Sequence, residues 1–310
     1  MIDVFNLPSL TENSKVFFAN GSSWQVWNKP SNCKFVYIFS LGGGGGGGGC
    51  RTGAVNTATG GGGGGSSAIA ISLFIANLLP DNLYIQVGLG GIGGIASVGG
   101  NSGTLSYIST QPNTTALNIL MQNGSAGAGA GNAGTSSVAG VGGVGGTAWV
   151  YNPFVFGNLG LVTTNIGQAG VIGGATSSNG TNITPTLCVT GGAGGGGVSS
   201  SSPGASHLGG NIIGSGFLNT IVGGVNDVTD NSVNGNNGYQ SLNSILTSCN
   251  MPMFFTGGAG GGACNTSARI GGAGGSGAYG SGGGGGGGSY NALGGAGGNG
   301  GDGLVLITCY

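Results

Sequence analysis

Charged residues are scarce in this chain. Lysine and arginine together number 5, aspartate and glutamate number 6, and these four types make up 4% of 310 residues. The formal net charge is −1, so the chain lacks the basic surface that a nucleic-acid-binding protein needs. Hydrophobic residues make up 38%, whereas disordered chains are charged and poor in apolar residues. The composition therefore excludes nucleic acid as a partner and argues against disorder.

Long apolar segments and proline are also missing. No apolar run approaches the roughly 18 residues of a transmembrane helix, and the residues after Met1 carry neither a basic start nor an apolar signal segment. We therefore expect no membrane insertion and assembly inside a cell, where thiols stay reduced. Only 8 prolines occur, and the glycines come in blocks, which excludes the strict repeat of collagen.

Residues that commonly catalyse reactions are few and scattered. His207 is the only histidine; with no carboxylate near it in sequence to orient its ring, it is expected to decorate a loop. The segment GLGGIG at 88–93 matches the dinucleotide pattern, but the residues after it are a poor helix, and no carboxylate follows until Asp227. Every lysine precedes residue 35, which excludes a P-loop. We predict no catalytic residue, no cofactor and no enzymatic activity.

Metal ligands in a recognisable pattern are absent too. The cysteines form no CxxC pair, and a single histidine makes a zinc cluster improbable. Asp227 and Asp230 lie beside asparagines, yet their spacing fits an Asx-rich turn better than an EF-hand. The sequence therefore predicts no metal site. The cysteines are Cys33, Cys50, Cys188, Cys249, Cys264 and Cys309.

Glycine is what the chain has in abundance, with 81 residues. Residues 41–65 read LGGGGGGGGCRTGAVNTATGGGGGG, a composition typical of flexible linkers. A helix is disfavoured because each interior glycine costs roughly 1 kcal/mol relative to alanine. Polyglycine can instead form an extended three-residue helix, like polyproline, without internal hydrogen bonds. Several such helices can bond to one another, because without Cβ atoms the backbones approach closely. We therefore predict that the glycine runs form the core.

Glycine-rich blocks recur along the whole chain, separated by polar turns and short apolar stretches. At about 3.1 Å per residue, a run of eight spans roughly 25 Å, a suitable thickness for one folded body. The block lengths are irregular, so a solenoid of fixed period is excluded. We therefore expect a chain that folds back and forth many times. The blocks are 42–49, 60–65, 88–100, 124–146, 190–197, 257–262, 271–288 and 294–303.

Short β-branched and aromatic segments predict strands at both ends. The segment at 68–88 reads as two strands around a turn at Pro80, and residues 304–309 form a closing strand. We predict one domain, with an N-terminal β section at 1–41 and a glycine-rich body at 42–310. The fold class is mostly β and irregular, with short N- and C-terminal strands and a packed bundle of polyglycine II-type helices. The N-terminal strands are predicted at Lys15–Phe18, Ser23–Trp27 and Lys34–Leu41.

The strand at 34–41 carries apolar residues on both faces. Phe35, Tyr37 and Phe39 alternate with Val36 and Ile38. Because alternate side chains of a strand point to opposite faces, we expect both faces to be covered.

Four places in the sequence resemble one known family. Trp24, Val26 and Trp27 form an aromatic opening strand before Pro30, and KFVYIFSLGGGGGGGG carries a strand directly into polyglycine. LLPDNLYIQVGLGGIGG is similar to that family's turn, strand and glycine-rich exit, and GGAGGNGGDGLVLI is similar to its closing strand. The chain thus resembles, over about 24–100 and 271–310, the glycine-rich domain of bacteriophage tail-fibre tips, adhesins and related virion proteins.

The resemblance implies a location and a role. Some members of that family pack polyglycine helices into a layered body whose distal loops bind the host surface. We expect a virion protein, assembled in the host cytoplasm, that acts as a fibre-tip adhesin and recognises a host receptor such as a glycan. A non-adhesive capsid fibre, decoration or tail component is the alternative, and a cellular glycine-rich surface protein is a third. Other virion proteins are expected partners. The sequence leaves homo-oligomer formation open.

The same resemblance places two cysteines near each other. Cys33 precedes the strand at 34–41, and Cys309 ends the closing strand. If these strands pair antiparallel, as the resemblance implies, the two cysteines lie close together. Assembly inside a cell favours free thiols over a bond between them.

Candidate receptor-binding residues are the aromatic side chains of connecting loops. A glycine lattice offers no side chains for recognition, so we expect specificity to lie in the loops. The densest aromatic connector is AWVYNPFVFGN at 148–158. It can act as a hydrophobic plug on the lattice edge, or it can form a receptor platform together with Tyr107 or the asparagine-rich segment 226–239. The aromatic candidates in this connector are Trp149, Tyr151, Phe154 and Phe156.

Overall fold

Strand and irregular backbone make up nearly all of the described residues in the computed structural model of this chain. Almost no helix is present in them; a 3-10 turn at Ala76–Leu78 is the clearest case, and no helix there has the length and apolarity to cross a membrane. The coarse prediction of a mostly β and irregular fold is therefore confirmed. The structure describes residues 13–51, 57–114, 119–123, 131–150, 160–199, 207–214, 219–225, 255–265 and 269–310.

The strands form two five-stranded antiparallel sheets and one two-stranded pair. The first sheet, in the order β1-β12-β3-β5-β10, contains both the first strand and the last. The second sheet has the order β2-β6-β7-β8-β9, and β4 pairs with β11. The strands are β1 (Ser14–Phe18), β2 (Gln25–Asn28), β3 (Phe35–Leu41), β4 (Thr57–Ala58), β5 (Ile69–Ile75), β6 (Asn82–Gln86), β7 (Ser106–Ser109), β8 (Ile119–Asn123), β9 (Ala148–Val150), β10 (Gly160–Asn165), β11 (Val198–Ser199) and β12 (Leu304–Cys309).

A hydrophobic core joins the two large sheets. Val36 and Ile38 of β3 lie in the same buried cluster as Leu83 and Ile85 of β6, and all four are fully buried. Strand alternation explains the pattern, because residues two apart share a face of the sheet. The sheets therefore form a sandwich whose inner faces exclude water. Further members of this core are Phe17, Trp27, Phe74, Ile108, Leu120, Met121, Val305 and Ile307.

The outer face of the first sheet is covered only in part. Phe39 and Leu41 pack in a second buried cluster with Phe255 and Val189 of the glycine-rich body. At the other end of the same face, however, Phe35 is 46% exposed. Both faces of β3 were expected to be covered; the structure shows that cover only toward the end where β3 enters the glycine run.

The predicted strands at 15–18, 23–27, 34–41, 68–88 and 304–309 are all present, with small shifts at their ends. The expected antiparallel pairing of β3 with β12 is present, and β3 also pairs antiparallel with β5, a pairing that was not predicted. Strands β7 to β10 were not predicted. β7, β8 and β9 extend the second sheet beyond β6, and β10 is an edge strand of the first sheet.

The glycine run at 42–50 bonds to its neighbours with a period of three. The N–H groups of Gly43, Gly46 and Gly49 donate to the carbonyls of Thr104, Asn101 and Val98, each at 2.9 Å. The intervening groups donate to two other segments, around 295–301 and 62–65. Its carbonyls accept from 91–97, 131–134 and 283–286. Successive peptide groups therefore point to different neighbours, and the bonds run between segments.

Two other segments repeat this arrangement. The segments 60–67 and 281–288 each donate to three neighbours and accept from three more. Together with 42–50 we call them the central segments. Glycine is required there because a Cβ on Gly47 would lie 2.0 Å from the carbonyl oxygen of Gly284, far inside van der Waals contact. The prediction that the glycine runs form a core, bonded between neighbours, agrees with this pattern.

Segments at the periphery of the body keep a side chain at every third residue, and that side chain is exposed. In 88–98 these are Leu89, Ile92, Ile95 and Val98, and Ile95 is 70% exposed. Some peripheral positions carry polar groups that accept a neighbour's amide instead. The Oδ1 atoms of Asp302 and Asn299 accept the N–H groups of Gly90 and Gly93, both at 2.8 Å. Period three thus places two glycines inward and one side chain outward.

Cys33 and Cys309 form a disulfide, with Cα atoms 5.5 Å apart. Their proximity was expected, but the expectation of free thiols was wrong. Cys309 pairs with Val36, three residues beyond Cys33, so the strand register brings the two sulfur atoms together. The bond closes a loop over a sequence separation of 276 residues. The other cysteines of the described ranges, Cys50, Cys188 and Cys264, are thiols.

Replacing a central glycine by alanine should destabilise the body. We expect Gly47→Ala to lower the free energy of unfolding by more than about 3 kcal/mol, or to prevent folding, because the added Cβ meets backbone that cannot move aside. The control is Gly99→Ala, whose Cβ would lie 3.4 Å from the nearest atom. It should change stability by less than about 1 kcal/mol. Chemical denaturation followed by circular dichroism measures both, and equal stability of the two variants would contradict the packing described.

Reducing the disulfide should lower stability without changing the fold. In the chain-entropy model the cross-link contributes up to about 5 kcal/mol for so long a loop. We expect dithiothreitol to lower the melting temperature of the wild type and to leave that of a Cys33→Ala, Cys309→Ala double variant unchanged. Peptide mapping after alkylation of the unfolded, unreduced protein should find these two cysteines unmodified. Alkylation of both would show that no bond forms.

Candidate functional site

Two of the predicted receptor-binding residues lie in one sheet. Tyr107 is in β7, and the backbone of Trp149 is in β9 of the same sheet. The other three candidates, Tyr151, Phe154 and Phe156, lie outside the described residues, as does the asparagine-rich segment 226–239. Of the predicted residues, the structure therefore gives the position of Tyr107 and of the Trp149 backbone, and receptor binding by them stays a prediction.

The register of the second sheet brings glutamines and aromatic residues into one row. Gln86 pairs with Tyr107, Tyr107 pairs with Gln122, and Gln122 pairs with Trp149. Trp24 directly precedes β2. Because Gln25, the first residue of β2, pairs with Ile85, Trp24 stands opposite Gln86 and extends the row by one position. We call these five residues the aromatic–amide row. It crosses the whole sheet, with aromatic and glutamine residues at alternate register positions.

The row lies on the face of the sheet that points away from the sandwich core. Three members of the row have a fully buried neighbour in their own strand. The neighbours are Ile85 beside Gln86, Ile108 beside Tyr107 and Met121 beside Gln122, and all three lie between the sheets. Because side chains alternate across a strand, Gln86, Tyr107 and Gln122 point to the opposite face. All three are half-buried. They are thus fixed by their neighbours yet open to solvent.

Tyr107 and Trp24 form an aromatic pair within the row. Their ring centroids are 6.4 Å apart and their planes are inclined by 32°. Burial raises the pKa of Tyr107 above its usual value of 10. Its hydroxyl therefore stays neutral throughout the physiological range and can donate or accept a hydrogen bond.

A cleft of about 440 Å³ opens beside Gln86 and Tyr107. Its size lies at the lower end of the range for small-molecule sites. The Nε2 of Gln86 donates to the carbonyl oxygen of Ser22 at 2.5 Å, which fixes the amide at the rim. Thr104 also lines the cleft, and its Oγ1 accepts the N–H of Leu89 at 2.7 Å. The cleft is lined by Gly21, Ser22, Gln86, Val87, Leu89, Gly103, Thr104, Leu105 and Tyr107.

The glycine-rich body also presents side chains, contrary to the expectation that only loops could carry specificity. Val138, Val141 and Val144 are exposed along one peripheral segment, and Ile166 and Ile172 are exposed on the next. The two segments are neighbours, because Gly170 and Gly173 donate to the carbonyls of Gly143 and Gly140. We call these five side chains the apolar ridges.

Two groups with potential chemical reactivity, the imidazole of His207 and the thiol of Cys50, are buried. His207 is 7% exposed, so it does not decorate a loop as expected, and burial lowers its pKa. Burial raises the pKa of the Cys50 thiol to about 12, and its Sγ donates to the carbonyl of Thr59 at 2.9 Å. In the part of the chain that the structure describes, His, Cys, Asp and Glu form no group of three that could hold a metal ion.

Sequence reasoning missed Gln86, Gln122 and the role of Trp24. The alternation in NLYIQ at 82–86 indicates which residues of β6 point outward. No sequence signal gives the register that joins them to β7 and β8. The row exists only once the second sheet is assembled.

A comparison with family models gives a match that covers the glycine-rich body and every strand after β1. The model described as a glycine-rich domain matches residues 19–310. No curated protein matches the chain. The matched part extends from just before β2 to the last residue of the sequence, far more than half of it. The chain therefore belongs to the glycine-rich domain family.

Proposed function

We propose that this chain is a virion attachment protein that presents the aromatic–amide row to a receptor on the host surface. The observation that carries the proposal is the row itself, in which rings and amides stand on one open face. Exposed aromatic groups among polar ones are typical of recognition surfaces. The proposed virion location and host attachment rest on the resemblance to the tail-fibre tips and adhesins described above.

We further propose that the glycine runs are polyglycine II helices. Support comes from the period of three in the hydrogen-bond partners of 42–50 and from the six neighbours of each central segment. Among the described glycines, only Gly21 and Gly280 have a positive φ, so the others are compatible with a single hand. A lattice of this kind is stiff because each segment is bonded on every side.

A stiff body suits an attachment protein. β3 runs directly into the central segment 42–50, and β6 leads into the glycine-rich segment that begins at Gly88. The sandwich is therefore anchored in the lattice through continuous backbone. A surface held rigid before binding loses little conformational entropy when it meets its receptor. We propose a binding role without catalysis, in keeping with the burial of His207 and Cys50.

The apolar ridges favour a second candidate function, a purely structural component of the particle. Val138 and Val144 are 62% and 64% exposed, and contiguous exposed apolar side chains commonly mark protein–protein contacts. In this alternative the body packs against another virion protein, and the aromatic–amide row faces solvent without a ligand.

Antibody fragments distinguish the two functions. Fab fragments raised against the full chain are sorted by whether Tyr107→Ala or Val141→Asp abolishes their binding. We expect both groups to label intact particles in electron micrographs. Fabs that require Tyr107 should slow adsorption of particles to host cells at least tenfold, because they cover the row.

Fabs that require Val141 serve as the control and should leave adsorption unchanged. Labelling by row-directed Fabs without slower adsorption would overturn the attachment role and favour the structural one. Absence of both labels from particles would contradict the virion location.

A further inference from the structure

We infer that the aromatic–amide row binds a neutral glycan, with one sugar unit in the cleft beside Gln86 and Tyr107. The inference rests on the proposed attachment function and names the chemistry of its ligand. It depends on three features of the described residues: the alternation of rings and amides, the absence of charge from the row, and the position of the cleft.

The alternation of rings and amides matches the two kinds of surface that a sugar presents. Aromatic faces pack on the C–H faces of a pyranose ring, and glutamine amides offer a donor and an acceptor to neighbouring hydroxyls. Adjacent strands lie about 4.8 Å apart, so Gln86 and Gln122, on either side of Tyr107, stand roughly 10 Å apart. An extended oligosaccharide lying across the strands would meet a ring and an amide in turn.

The composition of the row favours a neutral ligand. None of the five members of the row is ionisable near neutral pH, since Tyr107 stays protonated. At the far end of β2 and β6, Lys29 forms an ion pair with Asp81 at 3.2 Å. Lys15 donates to the backbone carbonyl of Val26. An acidic sugar would therefore find no free cationic group among the members of the row.

A protein ligand fits this face less well. Protein interfaces rely on a dry apolar centre with aromatic or arginine anchors. The row contains one aromatic pair, Trp24 and Tyr107, and the glutamines Gln86 and Gln122 lie on the strands on either side of Tyr107. The row therefore offers amide groups beside its rings and no dry apolar centre. The row also crosses the face of the sheet, whereas a peptide that adds a strand needs the sheet edge.

The cleft gives one sugar unit of the glycan a defined position. Its lining includes Gln86, whose amide donates to the carbonyl oxygen of Ser22, and Tyr107. Leu89 and Leu105 also line it. A cleft of about 440 Å³ is large enough for one or two sugar rings. Shape and hydroxyl pattern at this position are then expected to set which glycan binds.

Binding of neutral oligosaccharides to the purified full chain tests the inference. The probes are linear hexasaccharides of glucose, mannose and N-acetylglucosamine, with polygalacturonate as the acidic comparison, followed by calorimetry and by tryptophan fluorescence. We expect at least one neutral probe to bind and polygalacturonate not to bind. Tyr107→Ala and Gln122→Ala should each weaken binding at least tenfold.

Two variants control for loss of structure. Tyr107→Phe keeps the ring and should retain affinity within about threefold. Phe35→Ala removes an exposed aromatic side chain from the other sheet and should leave affinity unchanged. Equal binding by wild type and Tyr107→Ala, with both folded, would overturn the assignment of the site.

Treated host cells separate this inference from the attachment function. If wild-type protein binds cells, Tyr107→Ala does not, and periodate oxidation of the cell glycans abolishes binding, both stand. If binding survives periodate but is lost after protease treatment, the ligand is a protein, and the glycan inference fails while attachment stands. If a neutral hexasaccharide binds the row but no host cell does, the glycan inference stands and attachment fails.

Discussion

The hydrogen bond between two backbones that approach without Cβ atoms is the interaction on which this structure depends. In the central segments the peptide groups turn successively toward different neighbours, so each segment is held from several sides. An extended chain without internal bonds would leave its polar groups unpaired when buried. Here the neighbours satisfy them, and a Cβ on Gly47 or Gly285 would lie 2.0 Å from a carbonyl oxygen. Glycine, which usually loosens a chain, is what allows this one to pack.

The same constraint divides the molecule into regions with different tasks. Inside the lattice there is no room for side chains, so hydrophobic burial is concentrated in the sandwich and in small clusters such as that of Cys50 and Val198. At the periphery one residue in three points outward and can vary without disturbing the bonds beneath it. On the outer face of the second sheet, alternate residues such as Gln86 and Tyr107 are likewise free to serve recognition. We therefore expect functional residues at the periphery of the lattice and on the outer face of the second sheet, where packing does not require glycine.

Much of this architecture could be predicted from the sequence. Short runs of β-branched and aromatic residues locate β3, β5, β6 and β12. The chain is apolar and nearly uncharged, a composition that disfavours disorder, so its glycine runs are expected to be ordered. Strands β7 to β9 could not be found in this way, because short segments such as SYIS at 106–109 become strands only by pairing with β6. The outward period of three is visible in LGGIGGIASV at 89–98. The disulfide was not predicted, because the expected cell compartment keeps thiols reduced. The strand register, which brings Cys33 and Cys309 together, decides their state instead.

Hydrogen exchange of the glycine amides tests the central claim most directly. Amides bonded on all sides inside a lattice exchange only when the whole body opens, whereas amides of a flexible linker exchange as fast as a free peptide. Deuterium uptake resolved to peptides covering 42–50, 60–67 and 281–288 measures this difference. The structure predicts that these three segments exchange together, at the rate of global unfolding and as slowly as β3 and β12. Complete exchange of the central segments within seconds, while the sandwich remains protected, would contradict a glycine core.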